Sequence, residues 1–195
     1  MIEKISLPTI SGLMLPQSIK IVRLFVECNN WAEVKAKAVE TNVMQIDKLA
    51  SSSRYISYII KNLKNLTLEE IQFFDGAGIE DQRTLLWIAF CRTFPIVSLF
   101  ASEVVHQKFL SYEKTLSFSD WNEFLSRKAN ENDSIDNIGK ETRKKAKSVI
   151  FTNLHQAGFL SSSNELKAAD ISEDAKKIIG KDIVFLPILS IGGAK

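Results

Sequence analysis

The sequence predicts a mainly α-helical protein. Only 8 glycines and 4 prolines occur among 195 residues, which is few for a turn-rich β architecture. Apolar residues recur at helical spacing along most of the chain, and residues that cap helix N-termini precede several of these runs. The hydrophobic content of 45% and the charged content of 25% are ordinary for a soluble globular protein with one large or two small domains.

The first segment, residues 1–75, has the pattern of a helix-turn-helix unit. After an irregular start, Pro16 suits the first turn of a helix, and Asn30 with Glu33 resembles a capping pair for the next helix. A longer helix is predicted over about 47–65, and its early turn holds three serines followed by an arginine. Two helices joined by a short turn, the second with a polar front, are typical of this motif, although many helical hairpins share the pattern.

The middle segment, residues 76–117, predicts a buried helical hairpin at the centre of the core. The run 83–94 is apolar almost all round, which indicates burial on most sides. Pro95 breaks this helix, and a second apolar helix follows it. Ahead of the hairpin, Thr67 and Glu70 are spaced as a capping box for a short helix.

The third segment, residues 118–195, has the order of a winged-helix-like unit. Ser119 is predicted to cap its first helix, and a longer helix starts at residue 140 and ends at Gly158, a residue that tolerates a left-handed turn. The stretch FLSSSNELKAADIS follows, with two short extended arms around a Ser-Ser-Ser-Asn tip. This pattern predicts a short β-hairpin near the C-terminus.

A short helix and an edge strand complete the predicted third segment. Ser172 is placed to cap the helix SEDAKKII, and Gly180 is placed to end it. The apolar tail IVFLPIL predicts an edge strand, because Pro187 would remove a hydrogen bond from a central one. The predicted architecture is therefore two helix-turn-helix or winged-helix-like units that flank the central hairpin.

The helix predicted from residue 140 has two unlike halves. Its second half carries an apolar stripe, whereas residues 140–147 hold five cations and one anion in a chain whose net charge is +2. Cations near a helix N-terminus oppose the helix dipole, at a cost of up to about 1 kcal/mol each. Their concentration there favours a polyanionic partner, and such a helix can enter a DNA groove N-terminus first.

The candidate DNA contacts come from this helix and from the helix predicted over 47–65. Lysines would neutralise phosphates, Arg143 would reach a base edge or the minor groove, and the serines with Arg54 would bond phosphates or bases. The full set is Lys140, Arg143, Lys144, Lys145, Lys147, Ser51, Ser52, Ser53, Arg54 and Lys61. With about five phosphate contacts, the logarithm of the affinity should fall with the logarithm of the salt concentration at a slope of about −4 to −5.

Motifs for other functions are missing from the sequence. Cys28, Cys91, His106 and His155 have no partners at metal-ligand spacing, so we expect neither a metal nor a cofactor. Without a glycine-rich phosphate loop or a nucleophile motif, we do not expect an enzyme. The N-terminus lacks a signal pattern, and no apolar run reaches the roughly 20 residues of a membrane span. These features predict a cytoplasmic protein without membrane contact.

Four stretches, taken together and in order, resemble a known family. They are SGLMLPQSIKIVRLF at 11–25, SSSRYISYIIKNL at 51–63, FSDWNEFL at 118–125 and ETRKKAKSVIFTNLHQAGFL at 141–160. This ordered set is similar to the BrxA family of bacterial BREX (bacteriophage exclusion) defence systems. The resemblance implies a mainly helical, non-catalytic protein that binds double-stranded DNA and works beside other BREX components, which carry methyltransferase, ATPase and phosphatase-like roles. It assigns no DNA-contact residues.

Two alternatives to DNA binding are consistent with the same residues. All-helical RNA-binding proteins of the antitermination type also present basic helix ends, so RNA is one alternative partner. The other is a protein-protein assembly adaptor whose basic helix meets an acidic surface without nucleic acid. Oligomeric state and sequence preference do not follow from the sequence.

Overall fold

The computed structural model describes residues 5–10 and 12–188, and this part of the chain is mainly helical, as predicted. The α-helices in chain order are α1 (Leu15–Cys28), α2 (Trp31–Glu40), α3 (Leu49–Leu63), α4 (Leu68–Gly76), α5 (Ile79–Thr93), α6 (Pro95–Phe100), α7 (Gln107–Leu110), α8 (Phe118–Glu131), α9 (Asp133–Asp136), α10 (Lys140–Gln156) and α11 (Glu173–Ile179). A π-helical segment, Ala101–His106, joins α6 to α7, and a 3-10 helix, Gly180–Phe185, follows α11.

Side-chain caps fix where several helices begin. The Asn30 side chain accepts hydrogen bonds from the first turn of α2, which confirms that predicted cap. Thr67 and Glu70 form the predicted capping box of α4, with distances of 2.7 and 3.1 Å. The Ser172 hydroxyl caps α11, and Gly180 ends that helix as predicted. These ends follow local sequence chemistry because each cap contacts only the next few residues.

The first helix of the third segment, α8, begins earlier than predicted. Its cap is Ser117 and not Ser119: the Ser117 N–H donates to Asp120 Oδ2 at 2.6 Å, and the Asp120 N–H donates to the Ser117 hydroxyl at 3.3 Å. The two members of a capping box stand three positions apart, and Asp120 provides that spacing only for Ser117. As a consequence α8 starts at Phe118.

Helix α5 lies at the centre of the core, as the predicted central hairpin requires. Its residues 84–91 are buried without interruption, and it packs against α3, α4, α6, α10 and α11. The Trp87 indole N–H also donates to the Phe185 carbonyl at 2.9 Å. Buried side chains from all three predicted segments join one hydrophobic core, so the segments share their apolar contacts. Among the described residues, no single helix is long and apolar enough to cross a membrane; α5 and 95–110 meet that condition only as a pair bent by 116°.

The predicted C-terminal β-hairpin does not form strands in the described part of the chain. The serine tip does turn, and Leu160 makes a single antiparallel bridge to Leu166. The second arm then pairs elsewhere, because the Leu166 N–H donates to the Lys114 carbonyl at 2.8 Å and Glu165 bridges to Thr115. The second arm therefore divides its hydrogen bonds between the first arm and residues 114–116, and neither ladder becomes long enough to be a strand.

The predicted edge strand in the tail is likewise not observed over the described residues 183–188. Residues up to Phe185 belong to the 3-10 helix, and Leu186 is fully buried. One main-chain hydrogen bond, from the Ala169 N–H to the Pro187 carbonyl at 2.8 Å, ties this segment to the chain ahead of α11. Leu189, the last residue of the predicted strand, lies outside the described residues.

An ion-pair network joins α4, α5 and the 3-10 helix. The Arg92 guanidinium donates to both oxygens of Glu70, at 2.7 and 2.8 Å, and to Asp182 Oδ2 at 2.6 Å. Glu70 is almost fully buried. Burial alone raises the pKa of Glu70, but the hydrogen bonds from Arg92 and from the Thr67 main chain outweigh it, so its pKa lies below the ordinary value.

Candidate nucleic-acid interface

The second half of α10 anchors the helix in the protein. Val149, Ile150 and Leu154 are fully buried. Asn153 Oδ1 accepts a hydrogen bond from the Gly12 N–H at 2.9 Å, and the neighbouring Gln156 side chain accepts one from the segment ahead of α1. Beyond the helix, Gly158 adopts φ 83°, which confirms the predicted left-handed end. Because this half is held on two sides, the first half has a fixed position.

The first half of α10 presents lysines on the surface. Lys140, Lys144 and Lys145 are exposed, and none of them forms an ion pair with a carboxylate of a described residue. Lys147 is half-buried, and its ammonium lies 5.0 Å from the ring centroid of Phe118. The structure thus brings together all four lysines predicted on this helix, three of them directed to solvent.

Arg143 occupies a different position from these lysines. Its guanidinium donates to three main-chain carbonyls, those of Ile135, Asp136 and Ile138, at 2.9, 2.7 and 2.8 Å. The carbonyls belong to the short helix α9 and the turn that follows it, so Arg143 fastens that turn to α10. Only 27% of its side chain is exposed. In this structure the group predicted to reach a base is therefore engaged within the protein.

The serines at the front of α3 are less accessible than predicted. Ser52 is buried, so the prediction that its hydroxyl lies on the surface and contacts DNA does not fit this structure. Ser51 and Ser53 are half-buried, and the Ser53 carbonyl accepts a hydrogen bond from the Ser57 hydroxyl at 2.8 Å. The apolar face of α3 includes this first turn, which is why a serine within it is covered.

Two cations of α3 face a surface groove of about 330 Å³. Arg54 and Lys61 lie two turns apart on one side of the helix, and Lys61 Nζ is 4.9 Å from the ring centroid of Phe94. The hydroxyls of Ser6 and Thr9 also line the groove. No carboxylate does so among the lining residues of the described chain, so the charged groups of the groove are both cations, although Leu7, Ile10 and Phe94 make part of its wall apolar.

Of the nine residues that line the groove, the sequence predicted only Arg54 and Lys61, and it also missed one residue beside α10. Ser6, Thr9 and Phe94 are distant from α3 in sequence, and no spacing rule connects them to it. Phe118 follows a cap that was assigned to the wrong serine. The i, i+3, i+7 spacing of Arg54, Ser57 and Lys61 was the signal available for the α3 side of the groove.

The helices α3 and α10 approach each other within the core. Tyr58 of α3 is buried, which raises the pKa of its hydroxyl, and the side-chain amides of Asn62 and Asn153 lower it in part. Asn153 belongs to α10 and also binds the segment before α1. The Tyr58 hydroxyl, Asn62 Oδ1 and Asn153 Nδ2 have no hydrogen-bond partner among the described residues, so these polar groups lie close together without bonding the two helices, two turns of α10 away from the basic end.

Comparison with known proteins identifies the family. The family model named BrxA matches residues 9–182. The chain belongs to the BrxA family. A relative named "BREX protein BrxA", from Bacillus cereus (strain H3081.97), is 27% identical over 128 residues; the match covers 66% of this chain and 64% of the relative's length. The predicted membership in the BrxA family of BREX systems is thereby confirmed.

A solved structure shares the fold of this BrxA-family chain. It is the crystal structure of an uncharacterized protein from Magnetospirillum magneticum, with a TM-score of 0.74 and 18% sequence identity. The likeness covers 92% of this chain and 95% of the other. At this identity the match establishes a common fold and nothing about a ligand.

Proposed function

We propose that this BrxA-family protein binds double-stranded DNA without catalysing a reaction, as a component of a BREX anti-phage system. One observation carries the proposal: Lys140 in the first turn of α10, where the helix dipole disfavours cations, and Lys144 and Lys145 in the second turn are all exposed and unpaired with described carboxylates. Such an arrangement costs stability unless a polyanion compensates for it. The name of the B. cereus relative supports the assignment to BREX.

The proposed roles divide the basic residues into two groups. Lys140, Lys144 and Lys145 contact phosphates directly, and Lys147 joins them by moving its ammonium from the Phe118 ring to the backbone. Arg143 acts as a positioning residue, because its guanidinium holds the turn ahead of α10. The order α8, α9, α10 then resembles a helix-turn-helix unit whose last helix meets the DNA with its N-terminal turns.

The α3 groove supplies a second contact in this proposal. Arg54 and Lys61 would bind phosphates within the groove, with the Ser6 and Thr9 hydroxyls as additional donors. Ser51 and Ser53, half-buried in the first turns of α3, would make weaker contacts. Other BREX components are proposed partners for the surfaces that DNA leaves free.

A charge-reversal experiment tests the proposal. Lys144→Glu with Lys145→Glu should abolish the mobility shift of a duplex at moderate salt while the helical circular dichroism stays unchanged. The matched control is Lys20→Glu with Lys35→Glu, which changes the net charge equally at exposed lysines of α1 and α2. Equal weakening by both double variants would show that overall charge and not the α10 surface governs binding.

Competition between nucleic acids decides between DNA and RNA. A labelled duplex DNA bound by the wild-type protein should resist displacement by an RNA hairpin of equal length and charge. Efficient displacement by the RNA would favour the antitermination-type alternative. A protein that binds neither at low salt would instead act as an assembly adaptor.

A further inference from the structure

Phe118 is an exposed aromatic residue beside the basic end of α10. It is the first residue of α8, and the residue is 50% exposed. Its ring meets the buried Phe151 ring at a centroid distance of 4.6 Å and an interplanar angle of 73°. Lys147 Nζ lies 5.0 Å from its centroid. The ring thus packs against one aromatic neighbour and lies beside one cation, while half of the residue stays exposed to solvent.

The start of α8 does not require an aromatic ring at this position. The capping box of Ser117 and Asp120 satisfies the first turn, and Phe118 contributes no hydrogen-bonding group to it. Leu68 occupies the same position in α4, directly after a capped N-terminus, and is 56% exposed. Two acidic residues follow Leu68, whereas Phe118 adjoins a cation of α10. Of these two matched positions, the one on α8 therefore combines an exposed ring with a neighbouring cation, and the one on α4 does not.

We propose that Phe118 stacks on a nucleobase that lies outside a base-paired stack, at a strand end, a bulge or a single-stranded extension. Sites for single-stranded nucleic acid combine aromatic side chains, on which bases stack, with cations that bind the phosphates of the backbone. Here Lys144 and Lys147, one turn apart on α10, take the phosphates on either side of that base. The inference rests on the proposed function, and it specifies the form of DNA that the same surface prefers.

The geometry supports a base as the partner and not an apolar protein segment. Lys147 lies beside the ring and exposed Lys144 lies one turn before it on α10, and a polyanion matches their charge. Contact with Phe151 restricts the ring orientation, so stacking would cost little side-chain freedom. Lys147 exchanges its contact with the ring for a phosphate when the base arrives.

Fluorescence anisotropy with two labelled DNAs tests the inference. One probe is a blunt duplex, and the other is the same duplex with a single-stranded 3′ extension. The wild-type protein should bind the extended probe roughly tenfold more tightly, in line with the stacking of one base on an aromatic side chain. Phe118→Ala should lose this preference and keep its affinity for the blunt duplex, whereas Phe118→Tyr should retain the preference.

The controls separate this inference from the proposed function. Leu68→Ala, the matched position on α4, should leave the preference unchanged. If the wild-type protein shows no preference, or if Phe118→Ala retains it in full, the inference fails while DNA binding by α10 stands. If the wild-type protein binds neither probe, both fail. Phe118→Leu keeps apolar bulk without a π face, so a retained preference in that variant would also overturn stacking.

Discussion

Replacing Arg143 with alanine should destabilise the protein more than replacing any of the neighbouring lysines. The change removes three hydrogen bonds from a charged donor to main-chain carbonyls. Each such bond contributes roughly 1.5–3 kcal/mol when it is well shielded. Water can replace part of this loss, because 27% of the Arg143 side chain is exposed. We therefore expect a loss of about 2 kcal/mol in the free energy of unfolding for all three bonds together.

Urea unfolding followed by circular dichroism measures this loss. With a denaturant dependence of about 2 kcal/mol per molar urea, the midpoint should fall by about 1 M. Lys144→Ala is the matched control, since this adjacent side chain is exposed, and its effect should stay within about 0.5 kcal/mol. Arg143→Lys keeps the charge but loses the planar guanidinium with its several N–H donors. It should therefore be more stable than Arg143→Ala and less stable than the wild type. Equal midpoints for Arg143→Ala and Lys144→Ala would refute the positioning role.

Two further predictions concern stability. Glu70→Gln should lower the free energy of unfolding above pH 4.5, the ordinary value for glutamate. The difference from wild type should shrink as the pH falls through the lowered pKa of Glu70, because protonation removes its charge interaction with Arg92; a difference that is constant with pH in urea titrations would contradict this. Gly158→Ala should cost about 1–2 kcal/mol in thermal or urea unfolding, because alanine at φ 83° is strained although its Cβ has room. Gly76→Ala, where an added Cβ has open space, should not destabilise, and equal losses would show that strain is not the cause.

The helices were predictable because their signals are local. The capping box of Thr67 and Glu70, the break at Pro95 and the glycine after α10 each depend on residues within one or two turns. The burial of α5 followed from an apolar pattern on all its sides. The error at Ser119 was also local, since the correct spacing of the capping box was present in the sequence at Ser117.

The failures arose where residues distant in sequence decide the outcome. The predicted β-hairpin does not form a ladder because main-chain groups of its tip and second arm bond to residues 114–116 instead. Arg143 has the spacing of a surface residue on α10, yet the turn from α9 brings carbonyls to its guanidinium. Ser52 is covered by packing around α3, which a pattern of small polar residues does not reveal. Tertiary contacts overrode the local pattern in each case.

The candidate site was predictable only where local helical spacing determines it. Helical spacing alone placed Lys140 and Lys144 on one side of α10, and the structure leaves both of them exposed. Spacing could not predict the other two features. The groove beside Arg54 forms because residues of the N-terminal segment lie near α3, and Phe118 stands beside the basic helix because its ring packs on Phe151 of α10. Composition and spacing thus indicate where charge lies along a helix, and the fold determines which side chains surround it.

The salt dependence of duplex DNA binding tests the central claim most directly. If the four lysines of α10 contact phosphates, the logarithm of the affinity should fall with the logarithm of the salt concentration at a slope of about −3.6, and at about −5.4 if Arg54 and Lys61 also contact the duplex. Lys144→Gln with Lys145→Gln should make the slope shallower by about 1.8. A flat dependence for the wild-type protein, or an unchanged slope for the double variant, would contradict DNA binding by α10.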